Sequence, residues 1–377
     1  MSDISAFLEK TGSISNLVKT LDKVLTTNPK ALTILAATGN EFSKIKLDPV
    51  LEGLGVPVSG GIFPKVIFKD QLLDKGSIVI AWQNEISITN YKNIENTDTI
   101  RDLIGISNKT KHTKDIGEYL IFIDSAVPNL EENLDVLYKK IGFRATFAGG
   151  GAGSATLKST PCIISNEGLL KNAMQTVSTN HKSKITSTHG WQKQSGPHLV
   201  TSSIKATIKT LNYEPVADFY KKHNTLFRDH NLKCTKFSTF FNEYPIGIEN
   251  IDGELLVRDP IRCTDDSIEY IGNIPEYSKV HMLTGTTDSS RNEVEIELEK
   301  LNLKDEEADA TFIFSCVNRD DADSYGYSKE IRMLNKHLAE SKHVVGTLAI
   351  GEIATGESRL LHLHNKSIVI SRLTGEL

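Results

Sequence analysis

A unit made of an amphipathic helix, a short apolar strand and a glycine-marked turn occurs three times in this chain. The copies span Asp48–Gly61, Leu130–Gly153 and Ser328–Gly351. They are unevenly spaced, which excludes a solenoid, because solenoid units of about 20–50 residues recur at a fixed period. Helical and strand periods also alternate over the rest of the chain, which is typical of α/β proteins. We therefore predict an α/β fold with pseudo-duplicated mixed β-sheets covered by helices.

The character of the sequence changes near Asn212. Before this point, Val200–Lys209 alternates apolar and polar residues and predicts one half-buried antiparallel strand. After it, Glu214–His230 has the pattern of a polar amphipathic helix, and a loop-rich stretch with several prolines follows. At about 100–200 residues per domain, the chain of 377 residues is long enough for two. We predict contacting domains of residues 1–212 and 213–377.

Charge and hydropathy exclude two classes of partner. The chain has a net charge of −5 and a pI of about 6.1, without a basic stripe, so we expect no nucleic-acid partner. No segment approaches the roughly 18 apolar residues of a membrane-spanning helix. The start, Met1–Lys10, lacks the charged and apolar regions of a secretory signal. These observations predict a soluble cytoplasmic protein without membrane insertion.

The segment Phe147–Ser154 (FAGGGAGS) has four glycines in five residues after a predicted strand. A backbone without side chains lets a ligand, or another backbone, approach closely. No helix obviously follows and no acidic residue lies about 20 positions further on, so the segment does not match a dinucleotide-binding fingerprint. A ligand-facing loop and a tight structural turn both remain open. The candidate ligand-binding residues here are Gly149, Gly150, Gly151, Gly153 and Ser154.

Other candidates for ligand contacts lie further along the chain: His189, Trp191, Arg258, Cys316, Arg319, Glu352 and Asn365. Trp191 could close a pocket with its flat ring or plug the end of a sheet. Arg258 ends an apolar strand and could bind a carboxylate in bidentate fashion or pair with Asp259. Cys316 and Arg319 lie at the carboxyl end of a predicted strand, where ligands bind in open α/β sheets.

The sequence contains no arrangement of residues that requires catalysis. It has no paired-carboxylate motif, no HExxH, no GxSxG and no evident combination of nucleophile and base. We therefore expect a protein that is not an enzyme. The alternative is a cysteine-dependent enzyme with Cys316 or Cys162 as nucleophile, which would need a thiolate with a lowered pKa. His362 and His364 share one face of a predicted strand, but two histidines are fewer than a metal site normally needs.

Seven segments occur in the order found in FIST proteins, whose name stands for F-box and intracellular signal transduction. They are Val56–Phe68, the GGGAGS loop, His189–Trp191, Tyr244–Gly247 with Val257–Pro260, Phe312–Arg319, Gly351–Ile353 and His364–Ser367. The chain resembles this family over nearly its whole length, with an amino-terminal FIST domain up to about residue 212 and a carboxy-terminal one after it. One departure is the polar stretch Asp320–Tyr327, where family members commonly have apolar residues; it puts ligand contacts from this loop in doubt.

The resemblance implies a cytoplasmic sensor without catalytic activity. FIST proteins are proposed to bind small ligands such as amino acids and to signal to separate partners, here a histidine kinase or a cyclic-dinucleotide signalling protein. A branch with only the two FIST domains binds haem and senses nitric oxide within two-component systems. If this chain resembles that branch, its cofactor is haem b. The expected axial ligand is then a neutral histidine, and the candidates for it are His364 and His189.

Overall fold

The computed structural model describes residues 3–96, 98, 117–223, 244–250, 253–264, 266–300, 307–322, 324–356 and 358–376. Within these ranges, no helix combines the length and the apolar character that crossing a bilayer would require. The chain forms two compact units. One comprises Met1–Thr188, Val294–His362 and Ser367–Leu377, and the other comprises His189–Glu293 and Leu363–Lys366.

The first unit contains three six-stranded sheets. In spatial order, the strands of the first sheet are β1 (Ile4–Glu9), β6 (Ser77–Trp82), β2 (Ala31–Ala37), β3 (Val58–Phe63), β10 (Ile163–Ser165) and β11 (Gly168–Leu170). Those of the second are β7 (Ser87–Lys92), β12 (Ala173–Thr179), β8 (Glu118–Asp124), β9 (Thr146–Ala152), β24 (Glu352–Thr355) and β25 (Leu361–His364). Those of the third are β13 (His181–Thr188), β26 (Ile368–Glu376), β22 (Ala310–Cys316), β23 (Val344–Ala349), β4 (Val66–Phe68) and β5 (Gln71–Leu73).

All three sheets are built on one plan. Their two central strands are parallel, in the pairs β2–β3, β8–β9 and β22–β23. The strands that flank each central pair run antiparallel to it. A parallel pair needs a crossover connection, usually a helix. The crossovers are α2 (Lys44–Glu52), α3 (Leu130–Ile141), and α6 (Val317–Ala322) with α7 (Ser324–His337). The predicted α/β class with mixed sheets is confirmed, and the repetition is threefold.

Each sheet is completed by strands from another repeat. The hairpin β4–β5 follows β3 of the first sheet in sequence but pairs in the third sheet. The hairpin β10–β11 follows β9 of the second sheet but pairs in the first. In the same way, β24 follows β23 of the third sheet but pairs in the second. The three repeats are therefore interlocked in a cycle.

Aromatic side chains join the three sheets at their buried faces. Phe122 lies 6.2 Å from Phe63 and 6.3 Å from Phe314, measured between ring centroids, so one ring from each sheet takes part. Trp82 of the first sheet stacks on Phe312 of the third at 6.1 Å. All five side chains are fully buried. Since burying one such side chain stabilises a fold by about 1.5–3 kcal/mol, these rings contribute substantially to the interlocked core.

Helices cover the outer faces of the sheets. In α7, the residues Ile331, Leu334 and Leu338 pack in one cluster with strands β22, β23 and β26, which confirms their predicted alignment on one helix face. The remaining helix of this part is α1 (Ile14–Leu25), whose Ser13 caps its amino end by accepting a hydrogen bond from the Asn16 backbone amide. The helix α5 (Thr287–Lys300) precedes β22 in sequence.

The second unit is built on one eight-stranded sheet. Its strands, in sequence order, are β14 (Gln192–Ile204), β15 (Thr207–Leu211), β16 (Glu214–Pro215), β17 (Ile246–Glu249), β18 (Leu255–Arg258), β19 (Pro260–Cys263), β20 (Ile268–Tyr270) and β21 (Lys279–Thr284). The helix α4 (Val216–His223) packs Val216, Phe219 and Tyr220 into this unit's apolar core. Residues 224–230 of the predicted helix lie outside the described residues.

Two expectations concern the boundaries of this part of the chain. The single strand predicted over Val200–Lys209 is wrong: a turn with Lys205 at φ 52° separates β14 from β15, which pair antiparallel. The compact units do not follow the order of the chain, because the segment His189–Glu293 lies in sequence between strands β13 and β22 of the third sheet. The domain division at residues 212 and 213 is a division of the sequence and stays a prediction.

Candidate ligand-binding site

A cavity of about 420 Å³ opens in the first unit where the parallel strands β2 and β3 end. Carboxyl ends of parallel strands are the usual place for ligands in α/β folds. The cavity falls within the range of sizes that hold small molecules, about 300–1,000 Å³. It is lined by Thr38, Phe42, Ser43, Lys44, Ile62, Gly153, Ser154, Thr156, Lys158, Thr160, Pro161, Cys162 and Leu169.

The lining combines apolar side chains, hydroxyl groups and two lysines. Lys44 is already engaged, because its Nζ contacts Asp48 at 2.8 Å and donates to the Leu169 carbonyl oxygen at 2.7 Å. The side chain of Lys158 is exposed at the rim. The Ser154 and Thr156 hydroxyls lie 3.0 Å apart and can each turn towards a ligand. The site is therefore suited to a small molecule that has an anionic or polar group beside an apolar part.

Cys162 contributes a thiol and not a nucleophile to this cavity. Its side chain is 1% exposed. Burial raises the pKa of the Cys162 thiol well above its ordinary value, and the nearby Asp124 carboxylate raises it further. The thiolate is the reactive form of cysteine, and its population at neutral pH is very small here. The cavity accordingly offers no activated cysteine.

The glycine-rich segment divides into two parts with different roles. A β-carbon at Gly149 or Gly151 would lie 2.1 Å from the carbonyl oxygen of Ile121 or Ile350, and one at Gly150 would lie 2.6 Å from the β-carbon of Ala349. These three glycines permit close packing within the core. Gly153, at φ +131°, and Ser154 lie in the cavity lining. Both interpretations left open by the sequence are thus found within one segment.

Glu352 and Cys316 lie near each other and outside the cavity lining. The Ser367 backbone amide donates to Glu352 Oε2 at 3.2 Å, and the Cys316 amide donates to the Ser367 carbonyl oxygen at 2.9 Å. Glu352 is fully buried, and Cys316 is 5% exposed. Both residues therefore support the junction between β22, β24 and the start of β26.

Arg319 is held in a buried ion pair. Its Nη2 donates to both carboxylate oxygens of Glu330, at 2.7 and 2.8 Å. This pair links α6 to α7, and both side chains are at most 8% exposed. The nearby Tyr327 hydroxyl is also buried, and this burial raises its pKa. Arg319 is thus bound to a protein carboxylate, the same group that a carboxylate ligand would present to it.

The remaining candidates come together in the second unit. The Trp191 amide donates to His189 Nδ1 at 2.9 Å, and His189 Nε2 lies 3.1 Å from the Leu255 carbonyl oxygen. The Trp191 ring lies under the Lys366 ammonium group, 5.5 Å from the ring centroid. Lys366 Nζ also lies 3.2 Å from Asp259 Oδ1 in a pair whose side chains are both 4% exposed. This is a tightly bonded cluster.

Arg258 and Asn365 tie backbone segments of this cluster together. Arg258 is 3% exposed and donates to the carbonyl oxygens of Asn273, Val257 and Leu363 at 3.0–3.3 Å. Asn365 donates from Nδ2 to the carbonyl oxygens of Val257 and Ile271. The structure therefore gathers His189, Trp191, Arg258, His364 and Asn365 into one unit, where the described contacts are structural.

The two histidines expected to ligate haem do not have the surroundings that haem needs. The hydrogen bonds of His189 place its proton on Nε2 and occupy the lone pair of Nδ1, so neither ring nitrogen can bind iron without losing a bond. His364 is 2% exposed between two anchored neighbours, Leu363 and Asn365. The cavity has no histidine in its lining. The residues present do not fit haem.

Thr38, Lys44 and Lys158 line the cavity but were not predicted from the sequence. Thr38 follows the buried strand β2 directly, so the rule that ligands bind at the carboxyl ends of strands could have identified it. Lys158 lies four residues after Ser154 in a segment without periodicity. Lys44 begins α2, the helix that connects the two parallel strands.

Comparison with protein families gives two matches that together cover most of the chain. Residues 46–214 match the model of the FIST N domain, and residues 217–355 match that of the FIST C domain. The cavity lining falls within the first match except for Thr38, Phe42, Ser43 and Lys44. No curated protein matches the chain.

Proposed function

The chain belongs to the FIST family, and from this starting point we propose that it is a cytoplasmic sensor of a small organic ligand that binds in the cavity at the end of β2 and β3. FIST domains are associated with signal transduction and small-ligand sensing. The cavity is the observation that carries the proposal, since its size and mixed lining suit such a ligand.

The ligand we propose is small and carries a carboxylate, as an amino acid does. Lys158 and the hydroxyls of Ser154 and Thr156 supply the polar contacts, and Phe42 and Ile62 supply the apolar surface. A lysine at a pocket rim acts as a point charge for an anionic group and leaves the apolar part of the ligand to be chosen by shape. The bound molecule would thus be read at both of its ends.

Binding in this cavity would connect two repeats. Thr38 and Ile62 belong to the first sheet's own strands, whereas Cys162 and Leu169 belong to the hairpin segment that follows β9 in sequence. A ligand shifts a conformational equilibrium only through different affinities for two states. We propose that the ligand favours one position of the β10–β11 hairpin against β3, and that a separate histidine kinase or cyclic-dinucleotide signalling protein reads this change.

Haem-based sensing of nitric oxide is not part of the proposal, because the residues around His189 and His364 do not fit haem. No catalytic step is included either, because the cavity holds a protonated Cys162 thiol and no base directed at it was found among its lining residues. The proposal rests on recognition alone.

A thermal-shift screen tests the proposal. The purified chain is heated with each of the common amino acids and with small mono- and dicarboxylates. We expect at least one compound to raise the Tm, because a ligand that binds only the folded state stabilises it by mass action. Lys158→Ala should abolish the shift, and Lys139→Ala, an exposed lysine on α3, should leave it unchanged. A shift that survives Lys158→Ala would place the ligand elsewhere.

A further inference from the structure

We propose that the first unit holds a divalent transition-metal site formed by Asp3, His181 and Asp309. One potential ligand atom from each of these side chains lies within 4.8 Å of the other two. Asp3 directly precedes β1, His181 begins β13, and Asp309 directly precedes β22. The group therefore lies where strands of the first and third sheets begin, whereas the cavity lies where β2 and β3 end.

The donor set determines the class of metal. One imidazole nitrogen and two carboxylate oxygens, without sulfur, suit zinc, manganese or ferrous iron more than copper(I) or an iron–sulfur cluster. Bonds of about 2.1 Å to a tetrahedral ion would bring the ligand atoms to about 3.4 Å from one another. The three side chains would have to close by on the order of 1 Å, which side-chain rotation can supply. Three protein ligands also leave a fourth position for water or a small molecule.

The surroundings of His181 orient its ring for this role. The Thr179 hydroxyl lies 2.6 Å from His181 Nδ1, and the Trp82 ring lies edge to face with the imidazole at 6.1 Å between centroids. Histidine ligands of metals typically have their second nitrogen hydrogen-bonded in this way, which fixes the tautomer and the ring plane. The geometry assigns Nε2 as the ligating nitrogen. The side chain is 1% exposed, so burial also restricts its rotation.

Lys342 now supplies positive charge to the same cluster. Its Nζ lies 2.9 Å from Asp309 Oδ1 and 3.8 Å from the exposed Glu307 carboxylate. The hydrogen bond with Asp309 is the largest cause of the raised pKa of Lys342, and Asp3 contributes as well. The Lys342 side chain is 36% exposed, so it can turn to solvent when a metal ion replaces it. The ammonium group and the ion would therefore compete for Asp309.

Calorimetric titration of the metal-free full chain with Mn²⁺ and with Zn²⁺ tests this site. We expect one equivalent to bind, and Asp3→Asn to weaken binding at least tenfold. Lys342→Met should tighten binding severalfold, because it removes the competing charge. Asp70→Asn, an exposed carboxylate in the β4–β5 turn, is the control and should bind like the wild type.

Two results would overturn the proposal: the absence of stoichiometric binding of either ion, or binding that Asp3→Asn leaves unchanged. A Lys342→Met variant that binds more weakly would also contradict it. His181→Ala could unfold the protein because the side chain is buried, so Asp3, which is only half-buried, carries the decisive substitution. Absorption bands of the Co²⁺-loaded chain should report one nitrogen and two oxygen ligands from the protein, a signature that a structural role would not produce.

Discussion

Ile121 and Gly149 lie opposite each other on the parallel strands β8 and β9, and the Ile121 carbonyl oxygen is 2.1 Å from the place where a β-carbon of residue 149 would lie. The same relationship joins Ile34 to Gly60 and Ile313 to Gly346 in the other two repeats, at 2.0 and 2.3 Å. A glycine at this register position is therefore a requirement of each central strand pair, and it marks the threefold repetition at the level of single residues.

Gly149→Ala should destabilise the fold without any ligand present. The added methyl group would overlap the Ile121 carbonyl oxygen, and overpacking of this kind costs about 1–3 kcal/mol or more. Chemical denaturation measures the loss. Gly55→Ala is the matched control, because a β-carbon there meets nothing within 4 Å, and it should change stability by less than about 0.5 kcal/mol. Equal stability of the two variants would mean that the glycine-rich strand is not tightly packed.

Arg258→Ala should lower the stability of the second unit by about 3 kcal/mol. It would leave three carbonyl oxygens without their donor in a site that is 3% exposed, and unsatisfied buried polar groups are costly. Arg262→Ala, on the neighbouring strand β19, removes an exposed pair with Glu269 and should cost at most about 1 kcal/mol. Thermal unfolding compares the two. If Arg258→Ala unfolds like the wild type, the arginine is available for a ligand.

The pH dependence of stability should report Glu118. Burial raises the pKa of this carboxyl to about 7 although the hydroxyls of Ser183, Ser371 and Thr146 favour its ionised form. Because its pKa is higher in the folded than in the unfolded chain, Glu118 stays protonated in the fold while it ionises in the unfolded chain. Stability should therefore fall as the pH rises from about 4.5 to about 7, by on the order of 3 kcal/mol.

Glu118→Gln should remove this decline, because the amide keeps the shape of the side chain and does not ionise. The free energy of unfolding, measured by urea denaturation between pH 4.5 and 8, should fall less with pH in this variant than in the wild type. Glu167→Gln, whose side chain is 53% exposed, should keep the wild-type profile. Parallel profiles for Glu118→Gln and the wild type would show that the Glu118 pKa is not raised.

Cys162 should react slowly with thiol reagents at neutral pH. Its thiol is buried and its pKa is raised, so labelling of the folded chain should be at least about tenfold slower than labelling of a free cysteine peptide. Peptide mapping by mass spectrometry after timed alkylation measures the rate, and the same protein in denaturant provides the fully reactive reference. Rapid stoichiometric labelling would instead support the cysteine-dependent enzyme.

The sequence was sufficient to predict the α/β class and the recurring unit, because both depend on local periodicity. The alignment of Ile331, Leu334 and Leu338 on α7 is one such case. The exchange of hairpins between sheets could not be predicted, since β4 and β23 pair across nearly the whole chain length and nothing local specifies the partner. The turn at Lys205 was missed because a lysine with positive φ carries no turn signal.

The candidate site was predicted only in part for a similar reason. Gly153 and Ser154 line the cavity, as a ligand-facing loop would, because glycine composition signals a backbone open to close approach. Arg258 and Asn365 drew attention as polar residues beside apolar strands, but their partners are backbone carbonyls that sequence does not reveal. Lys158 could not be singled out, because one lysine in an aperiodic segment resembles any surface lysine.

The most direct test of the proposed sensor is calorimetric titration of amino acids and small carboxylates into the wild type and into Ser154→Tyr. Ser154 lies in the lining of the cavity and is only half-buried, so a tyrosine there should fill the cavity without disrupting the core. We predict that at least one compound binds the wild type with one-to-one stoichiometry and that Ser154→Tyr, at unchanged Tm, does not bind it. Equal binding by both proteins, or no binding of any compound to the wild type, would contradict the account.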